Sequence, residues 1–229
     1  MPQDSIEIPT SFSQLFAQQA HENREKTWIY YPEPITAEKY RCLTYGGADK
    51  LMSHLAAVYQ ELMPEATNET VSKTAPKLLD SPPMVVATMA SNNVQCLLTG
   101  LASQRLGHPY IHISHLNSDI GIVSLLKSVD ARVLIADSVF IDRAKSLALD
   151  VEGLHVISMI DFDPIDELKK PLRSFNTDTS SNELSKCCLI MHTSGTTNSA
   201  PKPMWHNYKG FLQTHPFMTG TTVLATGRV

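Results

Sequence analysis

The residues that could do chemistry are concentrated between His192 and Lys202, which read His-Thr-Ser-Gly-Thr-Thr-Asn-Ser-Ala-Pro-Lys. Thr193, Ser194, Thr196 and Thr197 place four hydroxyls beside backbone N–H groups. Gly195 lets the backbone approach a ligand with no Cβ in the way. A loop of this composition suits phosphate oxygens, each of which accepts several hydrogen bonds. Lys202 adds a mobile cation at the far end. The spacing is not that of the Walker A loop, G-x-x-x-x-G-K-[ST]. A polar surface turn would also tolerate small hydroxyl residues. The apolar run before the loop, Cys187 to Met191, and the Pro-Lys after it favour the phosphate reading. The expectation is that the stretch from Thr193 to Lys202 is open to solvent. Thr193, Ser194, Gly195, Thr196, Thr197 and Lys202 are then the residues that meet phosphate.

Other reactive side chains invite plainer explanations. His108, His112 and His115 are close in sequence, but their segment reads as strand and turn, so the three rings need not converge on a metal. His192 reads as packing beside the loop rather than as a base. His206 reads as the cap of a helix that starts near Asn207. Asp161, Asp163, Asp166 and Glu167 lack the central glycine of a calcium loop and read as a solvated acidic face. Trp28, Tyr30 and Tyr31 read as strand packing. The four cysteines, Cys42, Cys96, Cys187 and Cys188, contain no C-x-x-C spacing, and adjacent cysteines chelate a metal poorly. Buried free thiols in a reduced, cytoplasmic protein are the expectation.

The elements that would position the loop follow from hydrophobic period. Ser11 with Gln14 has the form of a capping box, followed by Phe12, Leu15 and Phe16 on one helical face. Thr44 opens a second helix carrying Ala48, Leu51, Met52, Leu55, Tyr59 and Leu62, which Pro64 ends. Glu65 to Pro83 is polar and reads as a surface loop. Short apolar runs at 84–89, 110–113, 133–136, 155–160 and 187–191 read as strands. Between them lie helical patterns at 92–106, 118–129 and 138–149. The first carries Val94, Leu97, Leu98 and Leu101 as its stripe and Gly107 at its C-terminal cap. The second turns Ile122, Leu125, Leu126 and Val129 inward. Ser138 is the expected cap of the third. Strands alternating with helices need crossover connections, so the fold class is α/β, with largely parallel sheets covered by helices.

Bulk properties exclude several classes. The chain has 229 residues, 42% hydrophobic and 18% charged, with a formal net charge of −4. No basic block marks a nucleic-acid surface, and no apolar run is long enough to span a bilayer. Met1 to Thr10 is polar and lacks the layout of a secretory signal.

The loop resembles the phosphate-loop signature of the adenylate-forming superfamily, which includes acyl-CoA synthetases, luciferases and the adenylation domains of nonribosomal peptide synthetases. Thr193, Ser194, Gly195, Thr196, Thr197, Pro201 and Lys202 match its Thr-Ser-Gly-Thr/Ser-Thr-Gly-x-Pro-Lys pattern. Asn198 stands where that pattern has glycine, and one extra residue precedes Pro201. Weaker blocks agree. Leu43-Thr-Tyr45 with Ser53-His-Leu-Ala56 resembles the family's early helix start. Arg105-Leu-Gly107 through Asn117-Ser118 resembles its second block. Leu125-Leu126 through Asp137 resembles the helix–strand pair that follows. Pro203, and His206 after Met204, are similar to reductase-type synthetase-like proteins of fungal secondary metabolism.

The resemblance implies attack of a carboxylate on ATP, with Mg2+, to give an acyl-adenylate that CoA or a carrier-protein thiol then accepts. It implies residues 1–229 as a partial N-terminal adenylation domain, an incomplete subdomain of that fold truncated after the phosphate loop. The family's magnesium-holding Glu, ribose-binding Asp and C-terminal Lys come later in its pattern. The expectation is therefore that the 229-residue chain alone does not exchange pyrophosphate into ATP. A completing chain or self-association is the expected remedy for apolar residues near the C-terminus. A non-catalytic remnant that binds nucleotide or a partner remains the alternative.

Overall fold

A computed structural model describes residues 9–33, 39–64, 84–175, 184–193 and 201–210. The chain opens on α1 (Phe12–Glu22). Ser11 Oγ accepts from Gln14 N at 3.2 Å. The Gln14 side chain returns to Thr10 N rather than to Ser11 N, so the capping box closes one residue early. A hairpin follows, β1 (Thr27–Pro32) and β2 (Tyr40–Thr44), paired antiparallel as a small separate sheet. Trp28 does belong to a strand, and its ring meets Phe16 edge-on at 5.1 Å. Thr44 then caps α2 (Tyr45–Leu62), as its sequence position demands.

The main sheet is built from β3 (Val85–Met89), β4 (Tyr110–His112), β5 (Ala131–Ala136), β6 (His155–Ser158), β7 (Cys187–His192) and β8 (Pro203–Asn207). Its order is β6-β5-β3-β4-β7-β8, parallel everywhere except between β7 and β8. The parallel strands are joined through α3 (Val94–Arg105), α4 (Asp119–Ser128), α5 (Ile141–Ala148) and the short α6 (Pro164–Glu167). β3 is buried at every position, as a strand covered on both faces must be. One face packs Val86, Val133, Ile135 and Cys188 against α1, α2 and α3. The other packs Val85, Ala87, Ile111 and Ile190 against Ile122, Leu125 and Leu126 of α4 and Ala144 and Leu147 of α5. The α/β class with a largely parallel, helix-covered sheet is therefore what the chain forms.

Local departures have local causes. In α3, Leu97 is 39% exposed, while Cys96, Thr99, Ala102, Ser103 and Arg105 are buried. The helix is turned because it packs on both α2 and the sheet, and small or paired polar residues fit that crowded seam. α3 ends in a Schellman motif. His108 N donates to Ser103 O, Gly107 N donates to Gln104 O, and Gly107 has φ 80°. No atom lies within 4 Å of where a Gly107 Cβ would sit. Gly107→Ala should therefore cost only the left-handed backbone penalty, about 1–2 kcal/mol in urea unfolding. Ser138 does not cap α5. Asp137 Oδ1 accepts from Val139 N and Phe140 N at 3.1 Å in the turn ahead of it, and the helix starts at Ile141 behind Phe140, with no side-chain cap bond. His206 is not a cap either, because β8 continues through it, pairing His206 with Leu189. Asn207 supplies the cap, Oδ1 accepting from Gly210 N at 2.8 Å, and the helix begins at Tyr208.

The acidic stretch is more than a solvated face. Asp163 accepts from Arg41 at 2.8 Å and from Ile165 N and Asp166 N, fastening the β1–β2 hairpin to α6. Burial and the Asp163 charge push the neighbouring Tyr31 phenol up to about 12. Cys96, Cys187 and Cys188 are buried and all four thiols are free, but Cys42 is exposed. No helix among the described residues is long and apolar enough to cross a membrane.

Candidate functional site

The hydroxyl-rich loop leaves the carboxyl end of β7, where open α/β sheets offer ligands a crevice. Its mouth is pinned. Thr193 N donates to Lys202 O at 3.1 Å, and Lys202 N donates to Thr193 Oγ1 at 3.1 Å. These two bonds extend the β7–β8 ladder by one step and fix where the loop begins and ends. Thr193 and Lys202 are exposed. The Lys202 ammonium makes no hydrogen bond or ion pair with any described residue. Pro201 is buried, so the stretch is not open along its whole length. Ser194, Gly195, Thr196 and Thr197 lie outside the described residues.

Pro201 is buried because it packs against the first turn of α4. A Cβ on Gly121 would stand 3.4 Å from Pro201 Cδ and 3.2 Å from Ser118 Oγ. Gly121 thus lets Pro201 rest in close contact on the first turn of α4, at the helix's positive end. Ser118 caps the same turn, accepting from Gly121 N at 3.2 Å. The segment leading into α4 is held by Arg143 of α5. Its guanidinium donates to His115 O, Asn117 O and the Asp119 carboxylate. The His115 ring stacks on Phe140 at 4.7 Å. Asp137 Oδ2 meanwhile accepts from Ser91 N at 2.8 Å, tying the end of β5 to the end of β3. The crest around the mouth is therefore stiff, which limits the ordering cost of binding there.

The histidines divide among three settings. His108 sits behind the Schellman turn, its Nδ1 buried without a partner, and burial alone lowers its pKa to about 4. His115 lies on Phe140. His112 ends β4, where its Nδ1 is 3.0 Å from Thr88 Oγ1. Its pKa is lowered by burial first, then by the nearby His192 and His115. His192 turns its Nδ1 to Thr193 O at 2.9 Å. No group of three metal-binding side chains occurs among the described residues.

Thr88 is a hub that the sequence does not reveal. Its hydroxyl lies 2.8 Å from Tyr110 OH as well as 3.0 Å from His112 Nδ1. The Tyr110 ring rests on Gly100 of α3, where a Cβ would come within 2.6 Å of Cζ. Gly100→Ala should therefore displace a ring held at its far end by Thr88, at a cost of about 1–3 kcal/mol. Urea unfolding would show it, and an unchanged midpoint would mean the ring can yield.

Comparison with known proteins places this geometry. A family model described as "AMP-binding enzyme" matches residues 16–218. No curated protein matches the chain. Among solved structures, the chain is similar to the anthranilate CoA ligase AuaEII in complex with anthranoyl-AMP. The TM-score is 0.65 at 16% identity, covering 91% of this chain and 36% of that one. It is similar to the N-terminal subdomain of Klebsiella oxytoca NpsA in complex with 3-hydroxybenzoyl-AMSN. There the TM-score is 0.60 at 19% identity, covering 89% and 42%. The Mycobacterium tuberculosis fatty acyl CoA synthetase gives 0.61 at 18% identity, covering 87% and 35%. The chain thus spans well under half the length of each of these structures.

Proposed function

Because this chain belongs to the AMP-binding enzyme family, we propose that it supplies the phosphate-positioning part of a site that activates a carboxylic acid with ATP. The observation that carries the reading is the pinned mouth, where the Thr193–Lys202 bonds hold an ammonium that pairs with no described residue at the carboxyl end of a parallel sheet. Thr193, Ser194, Gly195, Thr196, Thr197 and Lys202 would meet the β- and γ-phosphates. Such a cradle acts by position and charge, holding pyrophosphate in line as a leaving group while the carboxylate attacks the α-phosphate.

The residues fit a triphosphate. Lys202 is an exposed cation with no partner among the described residues, Thr193 offers a hydroxyl at the rim, and the first turn of α4 lies behind Pro201. They do not by themselves make a magnesium site. Met191, His192, Thr193, Pro201, Lys202 and Pro203 include no carboxylate, so Mg2+ would be held here through the phosphate oxygens. The acyl-adenylate would pass to a CoA or carrier-protein thiol. A place in secondary metabolism rests on the resemblance at Pro203 and His206. Residues 1–229 would form part of an N-terminal adenylation domain.

The test is equilibrium dialysis of MgATP against the purified chain. Lys202→Ala should weaken binding about tenfold, a loss of about 1.4 kcal/mol. Equal affinity in the variant would remove the loop from the nucleotide site.

A further inference from the structure

A cleft of about 440 Å³ opens between the hairpin strand β1 and the start of α3. Ile29, Tyr30, Pro32, Val94 and Leu97 form its walls, and Tyr110 and His112 are at its base. It lies on the α3 side of the sheet, away from Pro201 and α4. Its volume is in the range of small-molecule pockets and would hold a ring system of roughly ten to fifteen non-hydrogen atoms. Tyr30 is 67% exposed and Leu97 is 39% exposed, so two large apolar groups at this cleft stand in water.

The base is polar in a directional way. Tyr110 OH, the strongest donor of the set, is 2.8 Å from Thr88 Oγ1, and Thr88 Oγ1 is 3.0 Å from His112 Nδ1. Each hydroxyl has one proton to give. Assigning Tyr110 as donor to Thr88 and Thr88 as donor to Nδ1, beside Cys96 Sγ at 3.5 Å, places the His112 proton on Nε2. Nε2 has no hydrogen-bond partner among the described residues, although His112 lines the cleft. The result is a neutral N–H donor on a residue that lines a largely apolar cleft. Among the described residues no Lys, Arg, Asp or Glu lines that space, so none of them would offset a charged ligand's loss of water.

We propose that this cleft is a binding site for an uncharged, flat aromatic compound bearing a carbonyl oxygen, stacked against Tyr30 and hydrogen-bonded by His112 Nε2. The cleft lies on the opposite face of the sheet from Pro201 and α4, and its binding does not depend on the role of the phosphate loop.

The probes are 2-acetylnaphthalene and 2-ethylnaphthalene, which share a shape and differ in the carbonyl. Titration of the full chain, read by saturation-transfer NMR, should show saturable binding of the ketone, about tenfold tighter than that of the hydrocarbon. Leu97→Arg, on an exposed helix position, should abolish binding of both. His112→Phe should leave the two probes bound equally. Lys202→Ala should change neither. No saturable binding of the ketone, or unchanged binding in Leu97→Arg, would overturn the proposal, and so would a ketone preference that survives in His112→Phe.

Discussion

Asp49→Ala is expected to lower stability by about 3–5 kcal/mol, the largest loss of any single change considered for this chain. Arg105 sits on α3 with only 7% of its surface exposed. Its guanidinium pairs with the Asp49 carboxylate on α2 and also donates to Asp49 O at 3.2 Å. Its Nε has no partner among the described residues. Removing the carboxylate strands a charge that cannot lose its proton at the seam where α2 and α3 meet. The reverse change should be milder. Arg105→Met replaces the buried charge with an apolar chain of similar length, and the remaining Asp49 side chain, 32% exposed, can turn to water. Urea unfolding of both variants checks the asymmetry. A loss below about 1 kcal/mol in Asp49→Ala would show that the pair is solvated in solution.

Acid should weaken the fold through His108 by about 3 kcal/mol. Burial lowers its pKa from 6.5 to about 4, and each pH unit of that displacement is worth about 1.4 kcal/mol. The unfolded chain takes up a proton as pH falls through 6.5, whereas the native state refuses it until about 4. The unfolded state therefore binds more protons across that window, and stability falls as pH falls. Above pH 6.5 both states are neutral and the term vanishes. His54 and His112 are also lowered by burial and act in the same direction. The effect of His108 is isolated by comparison with His108→Phe. The variant should lose about 3 kcal/mol less than the parent between pH 7 and pH 4. Parallel losses would place the His108 ring in water.

The sequence was legible where one element's own pattern decides the outcome. The five predicted strands all form, and α4 turns Ile122, Leu125, Leu126 and Val129 inward at full burial. Thr44 and Ser118 cap their helices because each needs only a neighbour three residues on. Failures came where distant residues decide. Leu97 loses its place in the core because α3 must serve two surfaces at once. Ser138 is no cap because Asp137 builds a turn there first, and the Asp137 carboxylate also answers Ser91 N just beyond β3. β8 is an edge strand whose pairing with β7 depends on the loop between them, and no periodicity announces it. The Pro201 seat on Gly121 and the Arg143 clamp join residues far apart in sequence, and nothing in either segment alone signals them. The residue types between His192 and Lys202 suggested phosphate chemistry, whereas the bonds that pin Thr193 to Lys202 appear only in three dimensions.

The central claim is that a phosphate chain docks at the mouth formed by Thr193 and Lys202. The most direct measurement is a titration of the isotope-labelled chain with pyrophosphate, following backbone amide resonances. Saturable shifts are expected at the Thr193 and Lys202 amides, which form the mouth. Shifts are also expected at Gly121 behind Pro201, with Leu97 and Tyr30 unmoved. Shifts spread over surface lysines without saturation, or centred away from β7 and α4, would contradict the central claim.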